Sequence, residues 1–208
     1  MSDISTILWD VGGVLLTNGW DHKERAAVMA HFNIDLASFE ERHPEPNDIW
    51  EKGFITVDDY LQRTIFWKPR SFTPNEVLAA MKAESKLLPD SGIGVLESLA
   101  ASAQVDLGML NNEARELNDY RIEEFGFRGY FDFFFSSCYV GLRKPGVQIF
   151  KLALDALQCE PSEVIFIDDR AGNAEAAASL GINAIRYEGS AHLTGRLREL
   201  GIEVETPA

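Results

Sequence analysis

The feature that most constrains the fold is a pair of short apolar segments that each end at a carboxylate. Residues 6–9, TILW, lead into Asp10, and residues 164–167, VIFI, lead into Asp168 and Asp169. Both segments contain β-branched residues and are followed by glycine-bearing loops, which favours buried strands of a parallel sheet. Because ligands of open α/β sheets bind beyond the carboxyl ends of the strands, the two segments predict one site with concentrated negative charge.

Carboxylates gathered at one sheet edge repel one another unless a cation neutralises them. Carboxylate oxygens are hard ligands, and this donor type favours Mg²⁺. The sequence therefore predicts a magnesium site built from residues that lie far apart in the chain.

Composition limits the classes of partner. The chain has 208 residues, 46% of them hydrophobic, which is enough for one sizeable domain or for a core domain with a smaller insertion. The net charge of -14 argues against nucleic acid as a partner, while it leaves a small phosphorylated substrate open. No apolar run approaches the roughly 18 residues of a membrane span, so we expect no membrane partner.

The N-terminus and the cysteines point to one compartment. The first ten residues, MSDISTILWD, lack a basic segment and reach an aspartate early, so we expect no signal peptide. Cys138 and Cys159 are the two cysteines, and we expect reduced thiols in a cytoplasmic protein rather than a disulfide. The sequence leaves the oligomeric state open.

The rhythm of predicted elements changes once along the chain. Residues 20–86 have helical patterns and no strand alternation; one helix is predicted to begin at Thr73-Pro74, with Glu76 in its first turn. From Asp90 onward helices alternate with strands. The later strands are predicted at 105–110, 133–135, 164–167 and 184–187. This alternation predicts parallel βαβ units, and hence an α/β core interrupted after its first strand by a helical insertion.

Four polar positions fall at strand ends or helix starts of this core: Asp10, Asn111, Lys144 and the pair Asp168-Asp169. They stand in the segments ILWDVGGV, GMLNN, GLRKPGVQIF and VIFIDDRAGNAEAA. Their order and context resemble the four motifs of the haloacid dehalogenase (HAD) superfamily of phosphohydrolases, and the resemblance covers nearly the whole chain.

The resemblance implies an α/β fold with a HAD-like, Rossmannoid three-layer core around a parallel sheet. This core would comprise residues 1–17 and 87–208. The helical stretch, residues 18–86, would form an inserted cap domain that resembles the family's C1 cap.

The resemblance also implies roles for the acidic residues. Asp10 is the expected nucleophile, which would attack phosphorus and form an aspartyl-phosphate. Asp10, Asp168 and the backbone carbonyl of Gly12 are the expected Mg²⁺ ligands. Asp169 is expected outside them, where it would orient a metal-bound water or Lys144.

Lys144, Asn111 and Asn112 are the residues implied to bind phosphate. Lys144 would supply positive charge to Asp10 and to the transferring phosphoryl group. Asn111 stands where the family has Ser or Thr and would donate its amide N–H to a phosphate oxygen. Asn112 would add its backbone N–H.

Gly12 departs from the family pattern, which usually has a second aspartate there as general acid and base. Such catalysis is commonly worth ~10²–10⁴-fold. Three outcomes stay open: a cap residue such as Glu51 or His22 substitutes, the leaving group needs little protonation, as with a sugar 1-phosphate, or the protein is a poor catalyst. The Asp-x-Gly-Gly-Val form and the segment EKGFITVDDY resemble the subgroup of bacterial α-glucose-1-phosphate phosphatases.

The sequence thus predicts a Mg²⁺-dependent phosphatase that hydrolyses a small phosphorylated metabolite, with sugar phosphates among the candidates. Two alternatives remain. One is a catalytically weak or non-enzymatic binding protein of the same fold, which Gly12 motivates. The other is a metal-independent 2-haloacid dehalogenase, which the acidic pair Asp168-Asp169 disfavours.

Overall fold

Five parallel strands form the central sheet of the computed structural model, which describes residues 4–204. The ends of the predicted core domain, residues 1–3 and 205–208, lie outside the described residues. The strands are β1 (Thr6–Trp9), β2 (Asp106–Met109), β3 (Phe133–Phe134), β4 (Val164–Asp168) and β5 (Asn183–Arg186). Their order in the sheet is β3-β2-β1-β4-β5. The predicted α/β fold with a parallel sheet is confirmed.

The central strand β1 determines where a site can form. In the sheet, β2 and β3 lie on one side of β1, and β4 and β5 lie on its other side. The strand order therefore reverses between β1 and β4. Trp9 pairs with Ile167, which places Asp10 beside Asp168 at the carboxyl edge. Ligands of such sheets bind in the crevice at this reversal.

Helices cover both faces of the sheet and complete three layers. They are α6 (Ile93–Ser102), α7 (Arg115–Glu124), α8 (Ser137–Val140), α9 (Val147–Leu157), α10 (Ala171–Ala178) and α11 (Ser190–Glu199). Ile7 and Trp9 of β1 pack in the same hydrophobic cluster as residues of α6 and α11. Leu8 lies in the opposite cluster, with residues of α9 and α10. The alternation along β1 follows from the two-residue period of a strand.

Five helices lie between β1 and α6, and we call them the helical insertion. They are α1 (His22–His31), α2 (Leu36–Glu40), α3 (Pro44–Glu51), α4 (Val57–Thr64) and α5 (Pro74–Ala83). All five fall in the stretch predicted to be helical. Capping boxes at Thr56 and Thr73 define the starts of α4 and α5 because they satisfy backbone N–H groups that lack helical partners.

The helical insertion has its own hydrophobic cluster. Trp50 and Tyr60 are fully buried there and stack with ring centroids 4.3 Å apart. Trp20 is buried beside them and donates from its indole N–H to the Tyr60 hydroxyl. Trp67 is half exposed, with the Arg42 guanidinium over its ring. Trp20, Trp50 and Tyr60 therefore pack the interior of the insertion, whereas Trp67 lies at its surface.

Arg121 of α7 fastens the two chain segments that join the insertion to the sheet. Its Nε donates to the Ser85 hydroxyl at 2.9 Å, and its Nη2 donates to the Thr17 carbonyl at 3.2 Å. Its Nη1 lies 3.0 Å from Glu113 Oε2 in a buried ion pair. Thr17 N–H in turn donates to the Lys86 carbonyl, so both linkers are held against each other and against α7.

No helix among residues 4–204 has the length and apolar character that crossing a membrane requires. Cys138 and Cys159 are both free thiols. Two local features escaped the sequence analysis: α3 was not separated from its neighbours, and the one-turn helix α8 was not predicted.

Candidate active site

Lys144 joins the carboxylates at the ends of β1 and β4. Its Nζ lies 3.0 Å from Asp10 Oδ1 and 2.7 Å from Asp168 Oδ2, and it donates to the Leu110 carbonyl at 2.9 Å. Lys144 is only 3% exposed and Asp168 is fully buried. The ends of β1, β2 and β4 thus converge on one ammonium group, and Asp10 and Asp168, whose strands were predicted to end at one site, lie together there.

Asp168 is held by the start of α10 as well as by Lys144. Its Oδ1 accepts from the Arg170 backbone N–H at 2.8 Å, and both carboxylate oxygens lie within 3.0 Å of Asn173 Nδ2. These donors fix the direction of the carboxylate. Asn173 therefore supports the site through Asp168.

Asp169 packs against the loop that follows β1. Its carboxylate occupies the space where a Cβ would stand at Gly13, whose φ is 75°. A side chain at residue 13 would collide with that carboxylate and would also force strained backbone, so the position requires glycine. Asp169 Oδ1 is buried and has no hydrogen-bond partner.

Three carboxylates of the site could hold a divalent cation. Asp10, Asp168 and Asp169 each offer an oxygen, and these oxygens lie within 4.8 Å of one another. The unpartnered Asp169 Oδ1 is a second observation that fits a bound cation, because buried polar atoms normally have a partner. Hard carboxylate donors of this number suit Mg²⁺, which keeps several waters as its other ligands.

Burial raises the pKa of the Asp10 carboxyl; the Lys144 ammonium opposes this rise, and the Asp168 charge adds to it. The pKa of Asp169 is also raised, again by burial and then by Asp168. Crowded carboxylates in a dry site disfavour each other's ionised form. The site thus has a surplus of negative charge that Lys144 alone does not balance.

Asn112 holds the loop that carries Lys144. Its Oδ1 accepts from the Lys144 backbone N–H, and its Nδ2 donates to the Lys144 carbonyl, both at 2.9 Å. This two-point contact fixes the start of the Lys144 side chain relative to the end of β2. The side chain of Asn112 therefore has a bracing role that the sequence analysis did not anticipate.

The Asn111 side chain faces the protein interior. It is 2% exposed, and its Nδ2 donates to Asn118 Oδ1 at 3.0 Å. Its Oδ1 has no partner. The amide N–H predicted to bind phosphate is thus already engaged by α7 and would have to leave Asn118 before binding a ligand.

A cavity of about 270 Å³ opens over Asp10. Its walls are formed by Asp10, Gly12, Asn18, Glu51, Asn112, Arg143, Lys144, Pro145, Arg170, Gly172 and Asn173. Four of the predicted site residues line it: Asp10, Gly12, Asn112 and Lys144. Asn111, Asp168 and Asp169 do not.

Three polar lining residues, Asn18, Arg143 and Arg170, were not predicted from the sequence. Arg143 directly precedes Lys144 and Arg170 directly follows the acidic pair, so adjacency to motif residues was a usable signal for both. Asn18 had no such signal. An ideal Cβ at Gly12 would stand 3.3 Å from Asn18 Oδ1, so the Asn18 amide covers the space beside the missing second aspartate.

Only one of the two residues proposed as substitute acids reaches the cavity. Glu51 lines it, with Oε2 2.6 Å from Arg143 Nη2 and Oε1 2.9 Å from Asn47 Nδ2. His22 is exposed, lies 3.5 Å from Glu40, and is not part of the cavity wall. The structure therefore does not bring His22 into the site.

The fold and the four motif regions together define a hydrolase class. The family model of haloacid dehalogenase-like hydrolases matches residues 4–181, and the chain belongs to this family.

Individual relatives fall in the same class. The chain is 28% identical to flavin mononucleotide hydrolase 1 of Arabidopsis thaliana, over 86% of this chain and 72% of that protein. It is 25% identical to a sesquiterpene phosphatase of Aspergillus oryzae, over 93% of this chain and 94% of that protein. A HAD family enzyme from Bacteroides thetaiotaomicron has the same fold, with a TM-score of 0.77 and 22% identity over 90% of this chain and 95% of that one. That enzyme has also been crystallised with magnesium and inorganic phosphate.

Proposed function

We propose that this protein is a Mg²⁺-dependent phosphatase that hydrolyses a small phosphorylated metabolite through an aspartyl-phosphate at Asp10. The observation that carries the proposal is the convergence of Asp10, Asp168 and Asp169, whose oxygens lie within 4.8 Å of one another. Lys144 contacts the first two, and one Asp169 oxygen is left without a partner. A phosphatase of this kind needs a cation that holds both the nucleophile and the phosphate. The surplus of negative charge is what would bind that cation.

Asp10 supplies the nucleophilic oxygen. The Lys144 contact reaches Oδ1, so Oδ2 is the oxygen left to face phosphorus. Attack forms the bond from Asp10 to phosphorus and breaks the bond to the alcohol oxygen; water then attacks phosphorus and releases Asp10. Lys144 opposes the rise in the pKa of Asp10 that burial causes, and it stabilises charge on the transferring group.

Mg²⁺ held by Asp10, Asp168 and the Gly12 carbonyl would screen the repulsion between the anionic nucleophile and the anionic substrate. Asp169 lies close enough to act as a further ligand or to orient a bound water. Asn173 and Lys144 hold the Asp168 carboxylate in one orientation.

Phosphate would be bound by Lys144 and by the loop of Asn111 and Asn112. Asn112 lines the cavity, which supports a contact through its backbone N–H. The Asn111 amide donates to the phosphate only if its hydrogen bond to Asn118 breaks first.

Glu51 is the candidate for the acid that Gly12 does not provide. It lines the cavity, but both of its carboxylate oxygens are already engaged, Oε2 by Arg143 and Oε1 by Asn47. We therefore favour substrates whose leaving group needs little protonation, with sugar 1-phosphates among them.

Residues 18–86 are proposed to be a cap of C1 type that closes over this cavity. Glu51 and Asp48 of the insertion contact Arg143, whose loop belongs to the core, at 2.6 Å and 3.0 Å. These contacts link the two parts directly at the site mouth, where closure would exclude water from the first chemical step. The free cysteines favour a reducing compartment such as the cytoplasm.

The relatives support phosphate ester hydrolysis over dehalogenation. Two of them are named for hydrolysis of phosphate esters, of flavin mononucleotide and of sesquiterpenes. Their alcohol parts differ widely, so the shared feature is the phosphate rather than one substrate.

Release of inorganic phosphate from a panel of phosphate monoesters, with Mg²⁺ and with EDTA, tests the proposal. We expect Mg²⁺-dependent release that the exchange Asp10→Asn abolishes while the folded state persists. Gly12 favours a second candidate, a binding protein without turnover. Tight binding of Mg²⁺ and phosphate, with no phosphate released from any ester, would favour this binding protein. Halide release from a haloacid that is insensitive to EDTA would favour a dehalogenase.

A further inference from the structure

A second chamber of about 200 Å³ lies between the insertion and the core, next to the cavity over Asp10. Asn18, Glu51, Arg143 and Arg170 line both spaces, so the two adjoin, and this chamber is the space open to the alcohol part of a molecule whose phosphate lies over Asp10. The chamber is smaller than the ~300–1,000 Å³ of drug-sized ligand sites, which indicates a compact group.

Asn47 enters this chamber from α3 and is held in one orientation. It is 9% exposed, and its Nδ2 donates to Glu51 Oε1 at 2.9 Å. Reversing the amide would face its oxygen against a carboxylate, so the assignment of the two atoms is fixed by the contact. Asn47 Oδ1 is therefore an acceptor, and it has no partner.

Arg143 presents the complementary donor. Its Nη1 and Nη2 are engaged by Asp48 at 3.0 Å and by Glu51 at 2.6 Å. Its Nε is buried and has no partner. The network from Asn47 through Glu51 to Arg143 thus ends in an unpartnered acceptor on one side and an unpartnered donor on the other.

An alcohol hydroxyl is both a donor and an acceptor, which matches these two groups. The charged residues at the chamber also balance, since Arg25, Arg143 and Arg170 face Asp21, Glu51 and Glu113. A second strong anion or cation on the substrate is therefore not required, and an alkyl or aromatic group would leave the polar atoms unpaired.

We propose that Asn47 and Arg143 are specificity-determining residues that bind a hydroxyl on the alcohol part of the substrate. The inference rests on the proposed phosphatase function for the placement of the phosphate. Sites built to hydrogen-bond a hydroxyl discriminate strongly against analogues that lack it, because the site's own polar atoms then stay unpaired.

Matched pairs of phosphate esters test this proposal: glycerol 3-phosphate against propyl phosphate, and ribitol 5-phosphate against pentyl phosphate. The readout is the ratio of kcat/KM within each pair. We expect the native protein to prefer at least one polyol ester by about tenfold or more, and Asn47→Ala to bring that ratio towards one. Asn75→Ala, at an exposed position of α5, is the matched control and should leave the ratio unchanged.

Binding provides a readout that does not depend on turnover. Calorimetric titration of the same esters into the Asp10→Asn protein with Mg²⁺ should show the same preference, and the added exchange Asn47→Ala should remove it. Equal affinity for polyol and alkyl esters before that exchange would overturn the hydroxyl site. A preference in binding without hydrolysis of any ester would instead overturn the phosphatase function and leave the hydroxyl site intact.

A thermal melt of each variant shows whether it is folded. Asn47→Gln, which keeps the amide on a longer chain, provides a second variant if Asn47→Ala does not fold. If the folded Asn47→Gln protein keeps the native kcat/KM ratio for both pairs of esters, the position of the Asn47 amide does not determine specificity. A lowered ratio supports the proposal.

Discussion

Lys144 Nζ and Asp168 Oδ2 form a 2.7 Å ion pair from which water is excluded, with Asp168 fully buried and Lys144 3% exposed. Burying two charges costs several kcal/mol of solvation per ion, and apolar residues often fill such space with equal or better stability. A buried pair of this kind is therefore weak support for stability and stronger support for a site. Asp10, 3.0 Å from the same ammonium, makes the group anionic overall.

Replacing Lys144 by Met should destabilise the protein and abolish turnover. The exchange leaves Asp10 and Asp168 buried without their cation, and breaking a buried pair typically costs about 3–5 kcal/mol. Urea denaturation measures the loss in the free energy of unfolding. Mg²⁺ should restore part of this loss because it neutralises the same carboxylates, and an unchanged free energy of unfolding without Mg²⁺ would contradict the electrostatic account.

Replacing Asp169 by Asn should weaken Mg²⁺ binding while the fold persists. The exchange removes a negative charge whose Oδ1 has no partner and lies beside the other two carboxylates. Residues around a metal site commonly contribute about 10–100-fold to affinity, which sets the expected loss. Calorimetric titration with Mg²⁺ measures it, with Asp155→Asn at an exposed position of α9 as the control. Equal affinity in both variants would exclude Asp169 from the site.

Replacing Gly12 by Asp should raise turnover of esters with poor leaving groups. The nearest atom to a Cβ at this position is Asn18 Oδ1 at 3.3 Å, and Asn18 is exposed enough to move. A positioned general acid is worth about 10²–10⁴-fold, so kcat for an alkyl phosphate should rise towards that range. Nitrophenyl phosphate should gain little, because nitrophenolate leaves without protonation. Gly12→Asn is the control, and equal rates for the Asp and Asn variants would show that no proton is transferred.

His43 makes the stability of the insertion depend on pH. Burial, with Arg25 adding to it, lowers the pKa of His43 to about 4, and Nδ1 lies 2.8 Å from the Tyr60 hydroxyl. An unfolded histidine titrates near 6.5, so below that pH the unfolded chain binds a proton that the folded protein does not.

The free energy of unfolding should therefore fall as the pH drops from about 6.5 towards 4, by at most about 1.4 kcal/mol per pH unit and by less where solvent reaches the ring. The measurement is a series of urea denaturation curves of the native protein and of His43→Gln. The difference in the free energy of unfolding between the two proteins separates the contribution of His43 from that of the carboxylates. A difference that does not change between pH 7 and pH 4 would contradict the account.

The strand ends were predictable because a short apolar run with β-branched residues and a terminal carboxylate are local signals. Asp10 and Asp168 could be placed together on that basis alone, since parallel strands bring their carboxyl ends to one edge. The helical insertion was also predictable from a local signal, because residues 20–86 have helical patterns and no strand alternation.

The remaining features of the site depend on contacts between distant segments. Asn111 could not be seen to donate to Asn118, because that bond depends on how α7 packs under the end of β2. The contact of Arg143 with Glu51 depends on how the insertion docks on the core. Asn18 lies over Gly12 because of the path of the linker, which no local pattern specifies.

The most direct test of the central claim is the covalent state of Asp10 during turnover. The protein is mixed with Mg²⁺ and a phosphate monoester, quenched in acid, digested and mapped by mass spectrometry. The account predicts one phosphoryl group on the peptide that contains Asp10, lost in EDTA and in Asp10→Asn. Mg²⁺-dependent phosphate release with that peptide unmodified, or with the phosphoryl group on another residue, would contradict it.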